Sequence, residues 1–582
     1  MATVTASDRR RALVVAEAVL AQAQATGVEL PRELALWDLA GCGASGPLPA
    51  IEAAGEGSPA LAAVLERATP GEQRRVNGLH VTPAWLADHL VGRALDGVAL
   101  PLDRLALCDP ACGGGAFLLA GARALHARGV PRSTVVRELV WGADVDPVGL
   151  ATAEAALALW AGEAPPRGRL VVGDALVGGP ALWPDRPAPG FGAVVGNPPF
   201  LNQLGRATTR TAAETSRLRE RFGTAVRPYT DAAWLFLLLG CELVRPGGRV
   251  ALVEPLSVVA ARDASSVRVA LHGPARLREL WVEDGRSFAA AVKVCAPVLE
   301  VLEADIPQDD LEPDRVWADR LADAIGVPPT GLDEVGPRLG DIGEVTAGFR
   351  DEYYGLVPLV REAAPGDGAA PLVTAGVLDW GRSRWSERTT RFAKRSWRAP
   401  VVDVGLLDRL APEERTAIVR AGVRWIERHQ RPKVVVASQT RVVEAAVDEQ
   451  GTWVPSVPVL AVLPVATDDA AADADAVWRI AAAVAAPAAT AWLFRRAPGT
   501  ALGRTALKVA ARDLTALPLP RDSAAWAAAT TALRDWSAEP SAGALATYVD
   551  AATAMYGSPP TLVAWWRARL DAPDGPNDPD GN

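Results

Sequence analysis

The chain has 582 residues, 49% of them hydrophobic, which is enough apolar material for more than one globular domain. Its five cysteines show neither metal-ligand spacing nor a secreted disulfide pattern, and its five histidines form no zinc motif. No apolar run reaches the length of about 18 residues that a membrane helix needs. We therefore expect a protein of the reducing cytoplasm, with no metal and no membrane partner.

The formal net charge of −9 is unfavourable for a protein that binds phosphate, so charge has to be judged locally. Only four of the 60 basic residues are lysines, and none of the four has an acidic residue two positions before it. The Asp/Glu-x-Lys core of a common nuclease type is therefore missing, and no G-x-x-x-x-G-K phosphate loop is present. These absences argue against DNA cutting of that type and against ATP-driven translocation.

Residues 1–76 are predicted to form a helical region interrupted near positions 41–59 by glycine and proline. Arg9 to Arg11 and the apolar run after them superficially resemble a signal peptide, but Glu17 interrupts that run and favours an amphipathic helix. No chemistry is predicted for this region, whose expected role is to pack on the domain that follows. Next, Thr82 is predicted as the N-cap of a helix and Pro83 as its first residue.

Residues 105–116, LALCDPACGGGA, predict a buried strand ending at Asp109, a glycine-rich turn and a helix that starts near residue 116. The glycines at 113–115 let the backbone approach a ligand closely, and the helix start supplies free N–H groups. A dinucleotide-binding turn is the natural alternative, but an acidic residue would then follow about 20 positions later. Here the next acidic strand end, Asp144, comes 35 residues after Asp109.

Two further carboxylates are expected at the ends of strands. The segment WGADVDP places Asp144 at the end of the second strand, and LVVGDAL places Asp174 at the end of the third. Asp146 directly precedes Pro147, and we predict that it caps the helix that follows. An exposed loop aspartate is the alternative interpretation of each.

The segment 194–200, VVGNPPF, is the strongest chemical signal in the chain. It predicts a short buried strand that stops at two successive prolines, which hold the backbone rigid and present an amide and an aromatic ring. With only five asparagines in the chain, an accidental Asn-Pro-Pro-aromatic sequence has a chance of about one in a thousand. A plain Asn-Pro turn is the alternative.

The order of these segments resembles that of gamma-class N6-adenine DNA methyltransferases, the TaqI-like and type II and IIG restriction-modification methylases. The resemblance covers about residues 70–520 and rests on DPACGGGAF and NPPF. It implies an α/β fold, with a Rossmann-like sheet of the S-adenosylmethionine (SAM)-dependent methyltransferase type and a separate C-terminal α+β target-recognition domain. The implied domains are an N-terminal helical region (1–76), a catalytic domain (77–305), a linker (306–337), a DNA target-recognition domain (338–520), and a C-terminal helical segment with a disordered tail (521–582).

By the same resemblance, Asp144 should accept the ribose hydroxyls of SAM and Asp174 its adenine amino group. The residues expected around the cofactor are Thr82, Pro83, Asp109, Pro110, Ala111, Gly113, Gly115, Asp144, Asp174 and Asn197. The catalytic segment would be Asn197, Pro198, Pro199 and Phe200. In it, the side-chain oxygen of Asn197 and the carbonyl of Pro198 would accept hydrogen bonds from the target amino group, and Phe200 would stack on an extruded base. Phe288 is the candidate for the second face of that base, with core packing as its alternative.

The C-terminal half has a different charge balance. Residues 338–520 carry a net charge of +3, which leaves −12 on the rest of the chain, an asymmetry in the direction that DNA binding requires. A basic run interleaved with tryptophan and phenylalanine lies at 381–400. Its candidate DNA-binding residues are Arg382, Arg384, Arg391, Lys394 and Arg395. A solvated basic face is the alternative.

The expected activity is methyl transfer from SAM to the N6 nitrogen of a flipped adenine in double-stranded DNA, within bacterial restriction-modification or phage defence. The expected location is the cytoplasm, at the nucleoid, and a separate nuclease or defence-complex subunit is a possible partner. Methylation of RNA or of a protein glutamine is one alternative, since NPP-aromatic segments also occur in release-factor methylases. A SAM-binding recognition subunit without catalysis is the other.

Overall fold

In the computed structural model of the chain, the described residues are 4–41, 61–70, 82–98, 101–200, 211–283, 293–303, 312–332, 335–466, 470–496 and 507–571. The chain divides into two compact units, Met1–Arg320 and Leu321–Asn582. The division falls within the predicted linker, where the described residues include a helix, Pro313–Ala324. That segment is therefore more ordered than its content of Asp, Pro and Gly suggested.

A mixed sheet of eight described strands forms the centre of the first unit. The strands are β1 (Leu107–Asp109), β2 (Val140–Asp144), β3 (Leu170–Val172), β4 (Phe191–Gly196), β5 (Val244–Leu252), β6 (Glu254–Pro255), β7 (Ala275–Val282) and β8 (Val294–Val301). Their order is β3-β2-β1-β4-β5-β8-β6, with β7 paired to β8. Strands β1 to β5 pair with one another in parallel, and β8 is antiparallel to β5.

The central strands are continuous apolar runs because helices cover both faces of a parallel sheet. All six residues of β4 are buried, and so are the three residues of β1. Strands β1 and β2 end at Asp109 and Asp144, as predicted. Since parallel strands end at one edge of the sheet, these carboxylates and the residues after β4 come close together.

The longer described helices of this unit are α1 (Ala6–Thr26), α2 (Ala35–Ala40), α3 (Leu61–Ala68), α4 (Ala84–Leu95), α5 (Ala116–Ala127), α6 (Pro147–Ala161), α7 (Ala212–Phe222), α8 (Ala232–Leu243) and α9 (Ser265–His272). Shorter helical turns lie at Leu102–Arg104, Arg132–Thr134, Ala175–Gly178, Gly179–Leu182, Gly223–Ala225, Ser257–Ala260 and Arg262–Ala264, and a π-helical turn at Val135–Leu139. The predicted helix start near residue 116 is confirmed by α5.

Helix α4 starts one residue later than predicted. Pro83 occupies the cap position and Thr82 makes no capping hydrogen bond, because its buried hydroxyl is used elsewhere. Asp146 caps α6 as predicted, since its side chain accepts a hydrogen bond from the N–H of Val148.

The N-terminal helices pack on α6 in a cluster of their own. The buried face of α1 includes Ala12, Val15 and Val19, which meet side chains of α6 such as Val148. Val14, in the same helix, is exposed.

The second unit has two four-stranded sheets and three strand pairs among its described residues. The first sheet, in spatial order, contains β10 (Val360–Glu362), β16 (Pro400–Val402), β11 (Ala370–Val373) and β20 (Val454–Pro455). The second contains β19 (Ala445–Asp448), β17 (Lys433–Val436), β21 (Leu460–Pro464) and β9 (Gly343–Ala347). The pairs are β12 (Leu378–Asp379) with β13 (Arg382–Ser383), β14 (Thr390–Phe392) with β15 (Arg395–Trp397), and β18 (Gln439–Thr440) with β22 (Leu507–Lys508).

Helices complete the core of this unit. The longer ones that lie wholly within it are α10 (Arg350–Leu356), α11 (Ala417–His429), α12 (Ala470–Val484), α13 (Pro487–Arg496), α14 (Ser523–Ala538), α15 (Ala542–Tyr556) and α16 (Pro560–Leu570). The predicted helical segment after residue 521 is thus confirmed as α14 to α16. Its side chains are part of the main core, where Trp380 contacts Tyr548 and Trp566 at ring centroid distances of 5.1 and 5.5 Å. Residues 572–582, predicted to be a disordered tail, lie outside the described residues.

Among the described residues, no single helix has the length and apolar character to cross a membrane. One pair, Ala472–Val484 and Pro487–Arg496, passes that test jointly but is bent by 63°, and residues of both helices are buried in the core of the second unit.

Candidate active site

A cavity of about 240 Å³ opens at the edge of the sheet where β1, β2 and β4 end. Residues from seven regions of the first unit line it: Ala62 and Leu65; Thr82; Asp109 to Gly114 with Ala116 and Phe117; Asp144 to Asp146; Gly173 to Leu176; Asn197 and Pro199; and Ala232 and Phe236. The glycine loop and the NPPF corner therefore border one space. This meeting follows from the common edge of parallel strands.

Close backbone approaches shape the glycine loop. A side chain on Gly114 would bring its Cβ within 2.9 Å of the Ala62 Cα in helix α3. Gly115 has a left-handed φ of +83°, and its Cβ would lie 2.8 Å from that of Ala153 in α6. Gly115 is not among the residues that line the cavity, and packing against Ala153 requires the absence of a side chain there. Its contact with a cofactor stays a prediction.

The carboxylate of Asp144 is oriented by backbone donors. The N–H of Gly113 donates to Oδ2 at 2.7 Å, and the N–H of Asp146 donates to Oδ1 at 2.8 Å. Burial raises the pKa of Asp144 to about 6, against the opposing effect of these hydrogen bonds. The carboxylate is thus fixed in position on the cavity wall and can accept further hydrogen bonds there.

Asp109 lies deeper, with 1% of its surface exposed. Its Oδ1 accepts a hydrogen bond from the N–H of Ala111 at 3.0 Å. Burial raises the pKa of this carboxyl to about 8, and the negative charge of Asp144 acts in the same direction. The carboxyl also touches the end of β4, since a Cβ on Gly196 would come within 2.5 Å of Oδ1.

Asp174 lies two residues beyond β3, on the more exposed side of the cavity. Its carboxylate caps a helical turn by accepting hydrogen bonds from the N–H groups of Leu176 and Val177, at 2.9 and 3.3 Å. The capping role was not predicted, but it leaves the side chain on the cavity wall.

The NPPF corner places its amide beside α4. The side-chain nitrogen of Asn197 donates to the hydroxyl of Thr82 at 3.1 Å, which determines where the amide oxygen lies. Pro199 lines the cavity, and Pro198 is buried behind it. Phe200 is partly buried and packs against the core beside the sheet, so its stacking on a base stays a prediction.

The cavity is acidic. Among the described residues that line it none is basic, and Asp109 and Asp144 form no ion pair within the described part of the chain. A cationic ligand would stabilise the ionised form of these buried carboxyls, whose pKa values burial raises. The dinucleotide alternative is disfavoured, since its pyrophosphate would meet these carboxylates.

Not every predicted site residue is at the cavity. Pro83 occupies the cap position of α4 and does not line the cavity. Phe288 lies outside the described residues. Conversely, Ala62 and Leu65 of α3 form part of the wall, although no chemistry was predicted for that region. Phe236 of α8 was missed as well, because its apolar helix gives the same pattern as any buried helix.

The basic residues of the run at 381–400 differ in their burial and in their ion pairs. Arg384 forms ion pairs with Asp379 at 3.3 Å and Glu387 at 2.8 Å, so its charge is largely compensated, and Arg382 is half-buried. Arg391, Lys394 and Arg395 are exposed on the β14–β15 hairpin. Their contact with DNA is a proposal, and the case for it is stronger than for Arg384.

The sheet order, the glycine loop and the acidic cavity define the first unit as a Rossmann-like fold of the methyltransferase type. Residues 72–270 match the family model of N-6 DNA methylases. This match confirms the resemblance to N6-adenine DNA methyltransferases predicted from the sequence.

Among solved structures, the chain is similar to the type IIL restriction-modification enzyme MmeI in complex with DNA, at 13% identity and a TM-score of 0.51, over 88% of this chain and 82% of that one. It also matches the type IIG restriction endonuclease BpuSI, at 13% identity and a TM-score of 0.42, over 97% and 78% of the two chains. A type I methyltransferase subunit from Streptococcus thermophilus matches at 17% identity and a TM-score of 0.29, over 42% and 48%. No curated protein matches the chain in sequence. The likeness to MmeI supports the predicted fold class, an α/β catalytic part with an additional C-terminal domain.

Proposed function

We propose that the chain is a site-specific DNA methyltransferase that transfers a methyl group from SAM to adenine N6, within a restriction-modification or phage-defence system. One observation carries the proposal. Asn197 and Pro199 line the same acidic cavity as the glycine loop, so a methyl donor held by the loop and an amino group held by the corner would meet there.

The residues fit the proposed cofactor. Two acceptor oxygens on Asp144 suit a ribose diol, and Asp174 can accept from an adenine amino group. The glycine loop and Asp109 border the part of the cavity beside Asn197, where the cationic methionine end would lie against uncompensated carboxyls. Bound SAM would supply an electrophilic methyl group on a sulfonium.

Asn197 and Pro198 would prepare the nucleophile. The lone pair of an aromatic amino nitrogen is delocalised into the ring, so the nitrogen is a poor nucleophile until its geometry changes. Two acceptors aimed at its hydrogens would favour tetrahedral geometry and accept developing positive charge, a stabilisation that grows in the transition state. The hydrogen bond to Thr82 holds the amide with its nitrogen turned away from that role.

The test is methyl transfer from radiolabelled SAM to plasmid DNA, bulk RNA and bacterial protein by the full chain and by Asn197→Ala. We expect label in DNA, as N6-methyladenine, and its loss in the variant. Label in RNA or protein alone would show that the substrate is RNA or protein and not DNA. Equal biological activity of the Asn197→Ala variant would indicate a recognition subunit without catalysis.

A further inference from the structure

Arg11, in the N-terminal helix α1, is a buried arginine with two sets of partners. Its side chain is 2% exposed. The guanidinium donates to both carboxylate oxygens of Asp146, at 3.3 Å for the Nη1–Oδ1 pair, and Nε donates to the hydroxyl of Thr69 at 3.1 Å. Its Nη1 also donates to Oδ1 of Asp8 at 3.3 Å. A buried guanidinium is retained only when its donors are satisfied in this way.

The first set of partners leads to the cavity through Asp146. The backbone N–H of this residue donates to Oδ1 of Asp144 at 2.8 Å, one of the backbone hydrogen bonds that orient that carboxylate. Asp146 also caps α6 at 3.1 Å through the N–H of Val148. An ion pair that fixes Asp146 therefore fixes the donor on which Asp144 depends.

The second set leads to the opposite wall. The Thr69 hydroxyl, beyond the end of α3, donates to the carbonyl of Leu65 at 2.7 Å, and Leu65 lines the cavity. One turn earlier in α3, Ala62 approaches Gly114 of the glycine loop backbone to backbone. One guanidinium thus joins the α3 wall to the loop that carries Asp144.

We propose that Arg11 is a positioning residue for the cofactor-binding carboxylate Asp144, so that docking of helices α1 and α3 and binding of the cofactor stabilise each other. The inference rests on the proposed function, because it takes the cavity to be the SAM site. Coupling between two such events is reciprocal. Docking of the N-terminal helices strengthens cofactor binding by the same free energy by which the bound cofactor stabilises that docking.

The first test is the affinity of the full chain for sinefungin, a non-reactive SAM analogue, by calorimetry. Arg11→Met keeps the length of the side chain and removes its donors, so we expect binding to weaken about tenfold or more. Arg11→Lys should recover part of the loss. The matched control is Arg268→Met, since Arg268 is also 2% exposed and donates to Asp314 at 2.7 Å, away from the cavity. This control should lower thermal stability and leave the affinity within about twofold of wild type, the limit expected of an uncoupled site.

A second measurement uses the wild-type chain alone, so it stands even if Arg11→Met does not fold. Sinefungin should slow amide hydrogen exchange in α1, Ala6–Thr26, although no residue of that helix lines the cavity. Exchange in α1 unchanged by bound sinefungin would overturn the inference, as would equal affinities of wild type and Arg11→Met. If the wild-type chain bound no sinefungin, the proposed function would fail and this inference with it.

Discussion

The side-chain nitrogen of Asn197 donates a hydrogen bond to the Thr82 hydroxyl over 3.1 Å, joining two residues that are 115 positions apart in the chain. The bond turns the amide oxygen of Asn197 away from Thr82. Because Thr82 is buried, bulk water does not compete with Asn197 for the Thr82 hydroxyl, and the amide keeps its orientation.

Thr82→Val should therefore lower the turnover number for DNA methylation. The substitution keeps the shape of the side chain and removes the acceptor, so the amide can rotate. The loss of one hydrogen bond predicts a fall of up to about tenfold. Thr82→Ser keeps the hydroxyl and should retain most of the activity. Steady-state kinetics with a methylatable duplex measures both, and a Thr82→Val enzyme with wild-type turnover would refute the orienting role.

Gly196→Ala should disturb the contact between β4 and Asp109. The backbone at Gly196 has a φ of +158°, and the new Cβ would lie 2.5 Å from Oδ1 of Asp109. Either the strand end or the carboxyl has to move, at a cost of about 1–3 kcal/mol in the free energy of unfolding. Cofactor affinity should fall with it. Gly162→Ala is the control, because its φ is +81° but nothing lies within 4 Å of the added atom. Gly162→Ala should lose stability and keep activity. Similar losses of activity in the two variants would argue against a steric clash between the new Cβ at position 196 and Asp109.

The stability of the ligand-free protein should fall as pH rises. Burial raises the pKa of Asp109 to about 8, whereas an unfolded aspartate titrates near about 4. Between these values the folded state binds more protons than the unfolded state, so the free energy of unfolding decreases with rising pH. Asp144, raised to about 6 by burial, adds to the effect in the lower part of this range.

Melting temperatures of wild type and Asp109→Asn at several pH values between about 5 and 8 measure this dependence. The asparagine side chain of this variant cannot ionise and keeps an oxygen for the Ala111 N–H, so the variant should show a flatter profile. A wild-type melting temperature that rises through this interval would contradict the raised pKa of Asp109.

The β14–β15 hairpin should contribute to the salt dependence of DNA binding. Replacing Arg391, Lys394 and Arg395 by glutamine should reduce the slope of log affinity against log salt by about 2–3, since each phosphate neutralised by a basic side chain adds about one to that slope. Arg534→Gln, in α14, is the control for removal of a basic residue outside the hairpin. Binding titrations at several salt concentrations give the slopes. Equal slopes for the triple variant and the wild type would show that the hairpin is a solvated surface that does not contact DNA.

The parts of the site that could be predicted are those encoded by short segments. Strand ends at Asp109 and Asp144 follow from apolar runs that stop at a polar residue, and the rigidity after β4 follows from two prolines. Their meeting follows from the geometry of a parallel sheet. None of these steps requires knowledge of distant partners.

The parts that could not be predicted depend on distant partners. Arg11 and Asp146 are 135 residues apart, and an arginine in an apolar helix gives no sign of the carboxylate it will meet. The same holds for Arg384, whose charge is compensated by Asp379 rather than offered to a ligand. Ala62 and Leu65 have no polar atom in their side chains, so only their position on the cavity wall reveals their role.

The contacts of Trp380 with Tyr548 and Trp566 have a practical consequence for engineering. Helices α15 and α16 supply these two rings, so the second unit cut at residue 520 would lose part of its own interior. It would be left with an open apolar surface and a tendency to aggregate. An experiment that exchanges the proposed target-recognition unit should therefore transfer the whole segment Leu321–Asn582.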